Sequence, residues 1–388
     1  MIRKIRKCYT LGRIKVFVRR QEEHIELINF FSFFLRNKLG VLLVTVRFFL
    51  IFSIAILFSN CNEDPKTTPT PPITRGKGLF VVNEGTFTLG NASLYYINLD
   101  NDDKNTQEDI FKPNNNRPLG DIFQSMTLIN NNAWLVINNS GKIEVINPET
   151  SKSVSTIKNL RSPRFALEVL PNKVYVTDIY SNTIHIIDAT SFIKIGEIKC
   201  PGWTEELIIH QNKVWVTNFN RNYIYTINPN TDLITDSIAL AYGGSSLLAD
   251  KDGKVWVLCS GDLLKNKTGG LFCINPVSMK IEKQWLFSKD NFNPIKLRQN
   301  VAQDSMYFVY KGVYGFSKKS ATIAASPFIT EPVGSSFYGL TIQVATGNIL
   351  IADAQDFVSR GKILVYSSKG VFIKSYKAGV NPSEFFWW

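Results

Sequence analysis

Residues 172–188, NKVYVTDIYSNTIHIID, reappear forty residues later as 212–228, NKVWVTNFNRNYIYTIN, and forty-one residues earlier as 131–147, NNAWLVINNSGKIEVIN. More diverged copies begin near Lys77 (KGLFVVNEG, then ASLYYIN), Gly253 (GKVWVLCSG, then GGLFCIN), Asp304 (DSMYFVYKG, then VYGFS) and Gly347 (GNILIAD, then GKILVYS). Seven units therefore fill about 310 residues. Each holds two runs of β-branched and aromatic residues separated by Asn, Gly, Ser or Asp, which is a hairpin signature. A further run precedes each pair, as in 165–170 and 206–209, and another follows, as in 194–199. Four short strands per period of roughly 40–50 residues is the arithmetic of a propeller blade.

The expected fold is thus all-β: a seven-bladed β-propeller of four-stranded antiparallel blades over residues 77–388. Blades pack face to face, so strands are covered on both sides. This accounts for apolar runs without a polar face, and for Trp134, Tyr175, Trp215, Trp256 and Tyr307 falling at one repeat position, where they read as structural. The first unit starts at Leu79 with no inner strand, whereas residues 381–388, NPSEFFWW, begin another unit and stop. Residues 383–388 are expected to supply the missing strand and remove the open edges.

Outward from the repeats, the chain changes character. Its 388 residues carry 44 Lys plus Arg, 32 Asp plus Glu and a net charge of +12, but residues 1–61 hold eleven of the basic and three of the acidic side chains. The folded part keeps only a small excess, which argues against a nucleic-acid partner. Residues 48–58, FFLIFSIAILF, follow Arg47 and match the apolar segment of a secretory signal, being too short to span a bilayer. Leu57-Phe58-Ser59-Asn60-Cys61 resembles a lipobox, which implies acylation of Cys61, with Phe58 and Asn60 bulkier than the strict pattern. Residues 1–60 are accordingly read as an extension plus signal, with initiation near Val46 leaving a compact signal, and 61–76, rich in Pro and Thr, as a tether.

In an antiparallel blade, the loop before the inner strand and the loop between the second and third strands share one rim. On the opposite rim the connections are turn-like, as at 171–172, 252–253, 147–150, 228–231 and 275–276. The first rim collects longer loops with exposed aromatics beside amides and charges, which suits a pocket for a large polar ligand. Its candidate ligand-binding residues are Glu84 and Phe87 (83–91), Phe123 and Gln124 (118–124), Asn139 (138–141), Arg164, Tyr180 (178–182), Trp203 and Glu205 (201–205), and Asn220 and Arg221 (218–222). The loop 259–270 lies on the same rim.

Catalytic constellations are thin. The histidines are His24, His185 and His210, with no pair in view for metal or nucleophilic work, and no Gly-rich phosphate loop occurs. Asp100-Asn101-Asp102-Asp103 lacks the spacing of an EF-hand and reads as a solvated turn. Cys259 and Cys273 share a hairpin in which Cys273 is expected opposite Val255, so no disulfide is expected and buried thiols are. The chain is read as no enzyme and as needing no cofactor or metal. A lactonase-like hydrolase would have to draw on Glu84, Asp121 and Glu205, and a protein-interaction scaffold is the third possibility.

The strings FVVNEGTFTLGNASLYYIN, RPLGDIFQSM, NNSGKIEVINPET, SPRFALEV and VYVTDIYSNTIHIID resemble the YncE-like, surface-layer-type β-propeller lipoproteins of bacterial outer membranes, over about residues 78–388. The resemblance implies an outer-membrane, lipid-anchored, monomeric protein at the cell surface. Some members of that group bind cobalamin and pass it to a TonB-dependent transporter, so a corrinoid ligand and such a transporter partner are implied as well.

Overall fold

The computed structural model describes residues 77–99, 106–287 and 293–388. The signal, Cys61, the tether and the acidic turn at 100–103 lie outside the described residues. Seven four-stranded antiparallel sheets form the propeller. The innermost strands are Phe123–Ile129, Pro163–Leu170, Thr204–His210, Gly244–Ala249, Ile295–Gln299, Phe337–Ile342 and Pro382–Trp387. Each touches the innermost strands of the two neighbouring blades, so together they surround one axis. Blades are numbered from the amino end, the first being completed by Pro382–Trp387.

The covered strands are as apolar as the repeat requires. Gly78–Asn83 and Val255–Cys259 are buried along their whole length, whereas the outermost Ile193–Lys199 is mostly exposed. Trp134, Tyr175, Trp215 and Trp256 are buried in second strands, filling the seams between blades, and Tyr307 is partly buried against Phe328. Their polar atoms find partners in three cases: Trp256 Nε1 donates to Asp250 Oδ2 at 2.8 Å, Trp215 Nε1 to the His210 carbonyl at 3.3 Å, and the Tyr175 hydroxyl to Asp232 Oδ1. The turn-like rim is held by repeated side-chain bonds. Asn147, Asp188, Asn228 and Asn275 each accept backbone N–H groups two or three residues ahead, which closes the link between third and fourth strands.

Pro382–Trp387 pairs with Gly78–Asn83, with Leu79 opposite Trp387 and Val81 opposite Phe385. Reciprocal backbone bonds between Gly78 and Trp388, 3.0 and 2.9 Å, extend the ladder. Successive side chains of this strand serve different neighbours. Phe385 packs with Leu79, Leu350 and Ile363 at the seam with blade 7, while Phe386 packs beside Phe80 and Leu135 at the seam with blade 2.

Three details depart from the sequence expectation. Cys273 lies opposite Trp256, and Val255 opposite Ile274, one position from the anticipated register. Cys259 faces Gly270, and Cys200, Cys259 and Cys273 are free and buried. Blade 6 has a fourth strand of only two residues, Ile329–Thr330. The link from blade 1 to blade 2 carries a short helix, α1 (Lys112–Asn115), docked through buried Ile110 and Phe111. Its Pro113 suits the first helical turn.

Loss of the clasp should be measurable. Phe385→Ala is expected to lower unfolding free energy by about 3–5 kcal/mol, the usual range for a buried Phe, and removal of residues 383–388 by more. Urea unfolding checks both, and an unchanged midpoint in the truncated chain would contradict closure by this strand.

Candidate functional site

All seven inner strands bulge where they start, at the rim with the longer loops. Against its neighbour, each strand carries one extra residue, at Ser383, Gln124, Arg164-Phe165, Glu205-Glu206, Ser245, Lys296-Leu297 and Tyr338. A bulge kinks the strand and re-aims a side chain. Repeated around a ring, it turns polar groups toward the axis, where an unbroken strand would continue its alternation into the seams. Gln124, Arg164, Phe165, Glu205, Glu206, Ser245, Lys296 and Tyr338 line one cavity of about 280 Å³ at the mouth of the central channel, with Glu84, Trp203, Phe219, Ile179 and Ile295. Lys296 adopts φ 61°, the left-handed region, within this bulge.

The charged groups are joined across blades. Arg164 donates through Nε to both Glu205 oxygens at 3.0 and 2.9 Å, and through Nη1 to the Gln124 side-chain oxygen. Lys296 and Arg298 each reach Glu384 at 2.7 Å, joining blade 6 to the closing strand of blade 1. Glu206 accepts from Ser246 Oγ at 2.8 Å and from the Leu247 amide at 3.1 Å. The Tyr338 hydroxyl donates to Glu84 Oε2 at 3.2 Å.

Burial acts on these groups unequally. It pushes the Glu84 carboxyl above the ordinary glutamate range despite Lys296 and Arg164 nearby, and it does the same to Glu206. Against the same desolvation, Lys296 and Arg298 hold Glu384 down at about 2. The charge of Glu84, followed by burial, raises the Tyr338 phenol.

One wall of the mouth is aromatic. Trp203 stacks parallel to Phe219 at 6.5 Å, and Tyr180 meets Trp203 edge-on at 5.5 Å. These rings sit on loops fixed by the Asn or Asp that ends a second strand. Asn218 Oδ1 accepts from the Trp203 amide at 3.0 Å while its Nδ2 donates to the Pro201 carbonyl. Gly202, at φ +111°, lets that side chain approach: a Cβ there would lie 2.6 Å from both Asn218 amide atoms. Asp178 accepts from Ser162, Tyr180 and Ser181 amides at 2.7–3.0 Å and meets His185 Nε2 at 3.3 Å. Asp353 grips the start of its own blade in the same way, through the Ser336 amide, and Asn83 accepts the Gly379 amide from the last strand of blade 7.

Of the residues singled out from sequence, Glu84, Gln124, Arg164, Trp203 and Glu205 line the cavity, and Tyr180 stands beside it against Trp203. The others sit elsewhere. Phe123 is fully buried in the seam between blades 1 and 2, because it precedes the bulge and keeps the inward alternation of its strand. Asn139 is tied to Asp121, and Asn220 accepts from the Trp203 amide at 3.0 Å, so each supports a loop. Phe87 and Arg221 are exposed and outside the lining. Sequence reasoning missed Glu206, Ser245, Lys296 and Tyr338. The repeat alignment held the signal, since Ser245, Lys296 and Tyr338 in GGSSLL, NPIKLR and SFYGLT occupy the same position as Arg164 and Glu205 in SPRFAL and WTEELI, and Glu206 follows at the position of Phe165.

Glu384 yields a prediction with a definite sign. Its carboxyl in the folded chain, at about 2, lies below the ordinary value of 4.5. It therefore contributes stability that is fully present above about pH 5 and is lost as pH falls toward 2. Glu384→Gln is expected to destabilise by about 3 kcal/mol at pH 7, leaving two buried cations unpaired, and to flatten the loss between pH 5 and pH 2. Urea midpoints across that range test this, and an equal penalty at every pH would contradict the assignment.

The fold has counterparts among solved structures. A quinoprotein alcohol dehydrogenase-like protein from Bacteroides thetaiotaomicron superposes with a TM-score of 0.62 at 18% identity, over 80% of this chain and 78% of that one. A protein titled a putative 6-phosphogluconolactonase, from Bacteroides uniformis, gives 0.58 at 10% identity, over 81% and 100%. At such identities the likeness concerns the fold alone. No curated protein matches the chain. A family model described as "Domain of unknown function (DUF5074)" matches residues 77–386, the whole ring short of its last two residues, and the chain belongs to that family.

Proposed function

We propose that this protein is a non-enzymatic, lipid-anchored propeller of the outer-membrane surface that captures a bulky polar ligand on its long-loop rim. The specific form implied by the sequence resemblance is a corrinoid passed to a TonB-dependent transporter. The reading is carried by one observation: bulged residues of several blades meet in a single cavity beside an aromatic wall. Polar groups already paired across a rigid ring lose little freedom on binding, which lowers the ordering cost for a large ligand. A cavity of about 280 Å³ takes a substituent of such a ligand. Its broad apolar face would lie across Trp203 and Tyr180, the latter 48% exposed.

Calorimetric titration of the full chain with cyanocobalamin is the direct test. Binding is expected, weakened roughly tenfold or more in Trp203→Ala if this ring is an anchor. No heat and no change in melting temperature would sink the corrinoid form. Anchoring is tested separately: Cys61→Ser should move the protein from the membrane to the soluble fraction, and retention would contradict lipidation at that residue.

A further inference from the structure

The seven ionisable side chains at and just below the mouth do not balance. Glu84, Glu205, Glu206 and Glu384 face only Arg164, Lys296 and Arg298. All three cations are committed, Arg164 to Glu205, and Lys296 with Arg298 to Glu384. Glu206 is satisfied by a hydroxyl and a backbone amide. Glu84 has only neutral donors, the Tyr338 hydroxyl at 3.2 Å and the Ser383 hydroxyl of its own blade, and it lines the open cavity beside Trp203 and Tyr338. A carboxylate with aromatic neighbours, in a site short of one positive charge, is complementary to a small organic cation.

We infer that the mouth receives a monocation of the primary-ammonium class, as a substituent of the rim ligand or as a separate small amine, with Glu84 as its counter-ion. The inference rests on the mouth being the binding site and is independent of the corrinoid reading. Anions are disfavoured there, because they would add to the excess of carboxylates and compete for cations already in ion pairs. The groups facing Glu84 are Lys296 from blade 6, Arg164 from blade 3, Tyr338 from blade 7 and Ser383 from its own blade. None of them brings a positive charge that is free of another carboxylate, so burial leaves Glu84 holding its proton more tightly than usual. An arriving ammonium favours the ionised carboxyl and opposes retention of that proton. Binding of the amine should therefore weaken as pH falls.

Phenethylammonium, 2-phenylethanol and phenylacetate form a series that shares a ring and differs in charge at the tip. With the full chain, phenethylammonium should bind about tenfold or more tightly than 2-phenylethanol, as expected for a charge-assisted hydrogen bond, and phenylacetate should bind least. Quenching of tryptophan fluorescence and calorimetry both read this. Calorimetry in two buffers of different ionisation heat, repeated at falling pH, should show proton release that grows for the amine alone. Glu84→Gln should abolish the preference for the amine over the alcohol and the proton release, with the melting temperature showing that the ring is intact. If that variant does not fold, the preference for amine over alcohol in the unaltered chain, and its loss as pH falls, decide the matter. Failure of the amine to bind, equal affinity for amine and alcohol, or a preference surviving in Glu84→Gln would each overturn the inference. Competition by cyanocobalamin separates the two sources: an amine displaced by it shares the rim ligand's place, and an amine that binds beside it is a separate ligand. Cyanocobalamin binding without any response to the amine overturns this inference and leaves the corrinoid reading standing.

Discussion

The structure depends on one ladder of backbone hydrogen bonds between distant parts of the chain, Pro382–Trp387 against Gly78–Asn83. Without it, blade 1 lacks its inner strand and the ring has two open edges. With it, Phe385 and Phe386 close the seams on either side, toward blades 7 and 2. The same strand brings Glu384 to the axis, where it receives Lys296 and Arg298. Closure of the fold and assembly of the polar channel are therefore one event: the carboxylate that neutralises blade 6 exists at the axis only when the ring is shut.

The bulges explain how a ring with an apolar interior presents a charged mouth. Side chains on a regular strand alternate between the two seams, and both seams are apolar here. An extra residue at the start of each inner strand has no place in that alternation, and it turns toward the channel. There Arg, Lys and Glu are accommodated beside one another, because each finds a partner from another blade. Asn218, Asp178 and Asp353 then fix the neighbouring loops by accepting their amides, so the aromatic wall has a defined position. The mouth is pre-organised by backbone geometry and by ion pairing together.

Propellers of similar shape carry names as different as alcohol dehydrogenase-like protein and lactonase. Fold does not select among such functions, and the site does. In this chain the site consists of paired charges, one carboxyl with only neutral partners, and stacked rings.

Much was legible from sequence because a propeller is written as local repeats. The forty-residue period, the hairpin spacing, the seam tryptophans and the incomplete first unit are all properties of short segments, and they determined blade number, closure and the rim with longer loops. Glu84, Arg164, Trp203 and Glu205 could be placed at the mouth because they flank strand starts on that rim. Register within a hairpin was less legible, as Cys273 shows, since one residue of loop length shifts it. The channel network was decided by tertiary structure alone. Lys296 and Glu384 are 88 residues apart in sequence and 2.7 Å apart in space, and Phe123 and Gln124 are adjacent yet face the core and the mouth. Which of two neighbours turns inward depends on a bulge, and a bulge is set by pairing with another strand, so it shows when repeats are compared and not within one segment.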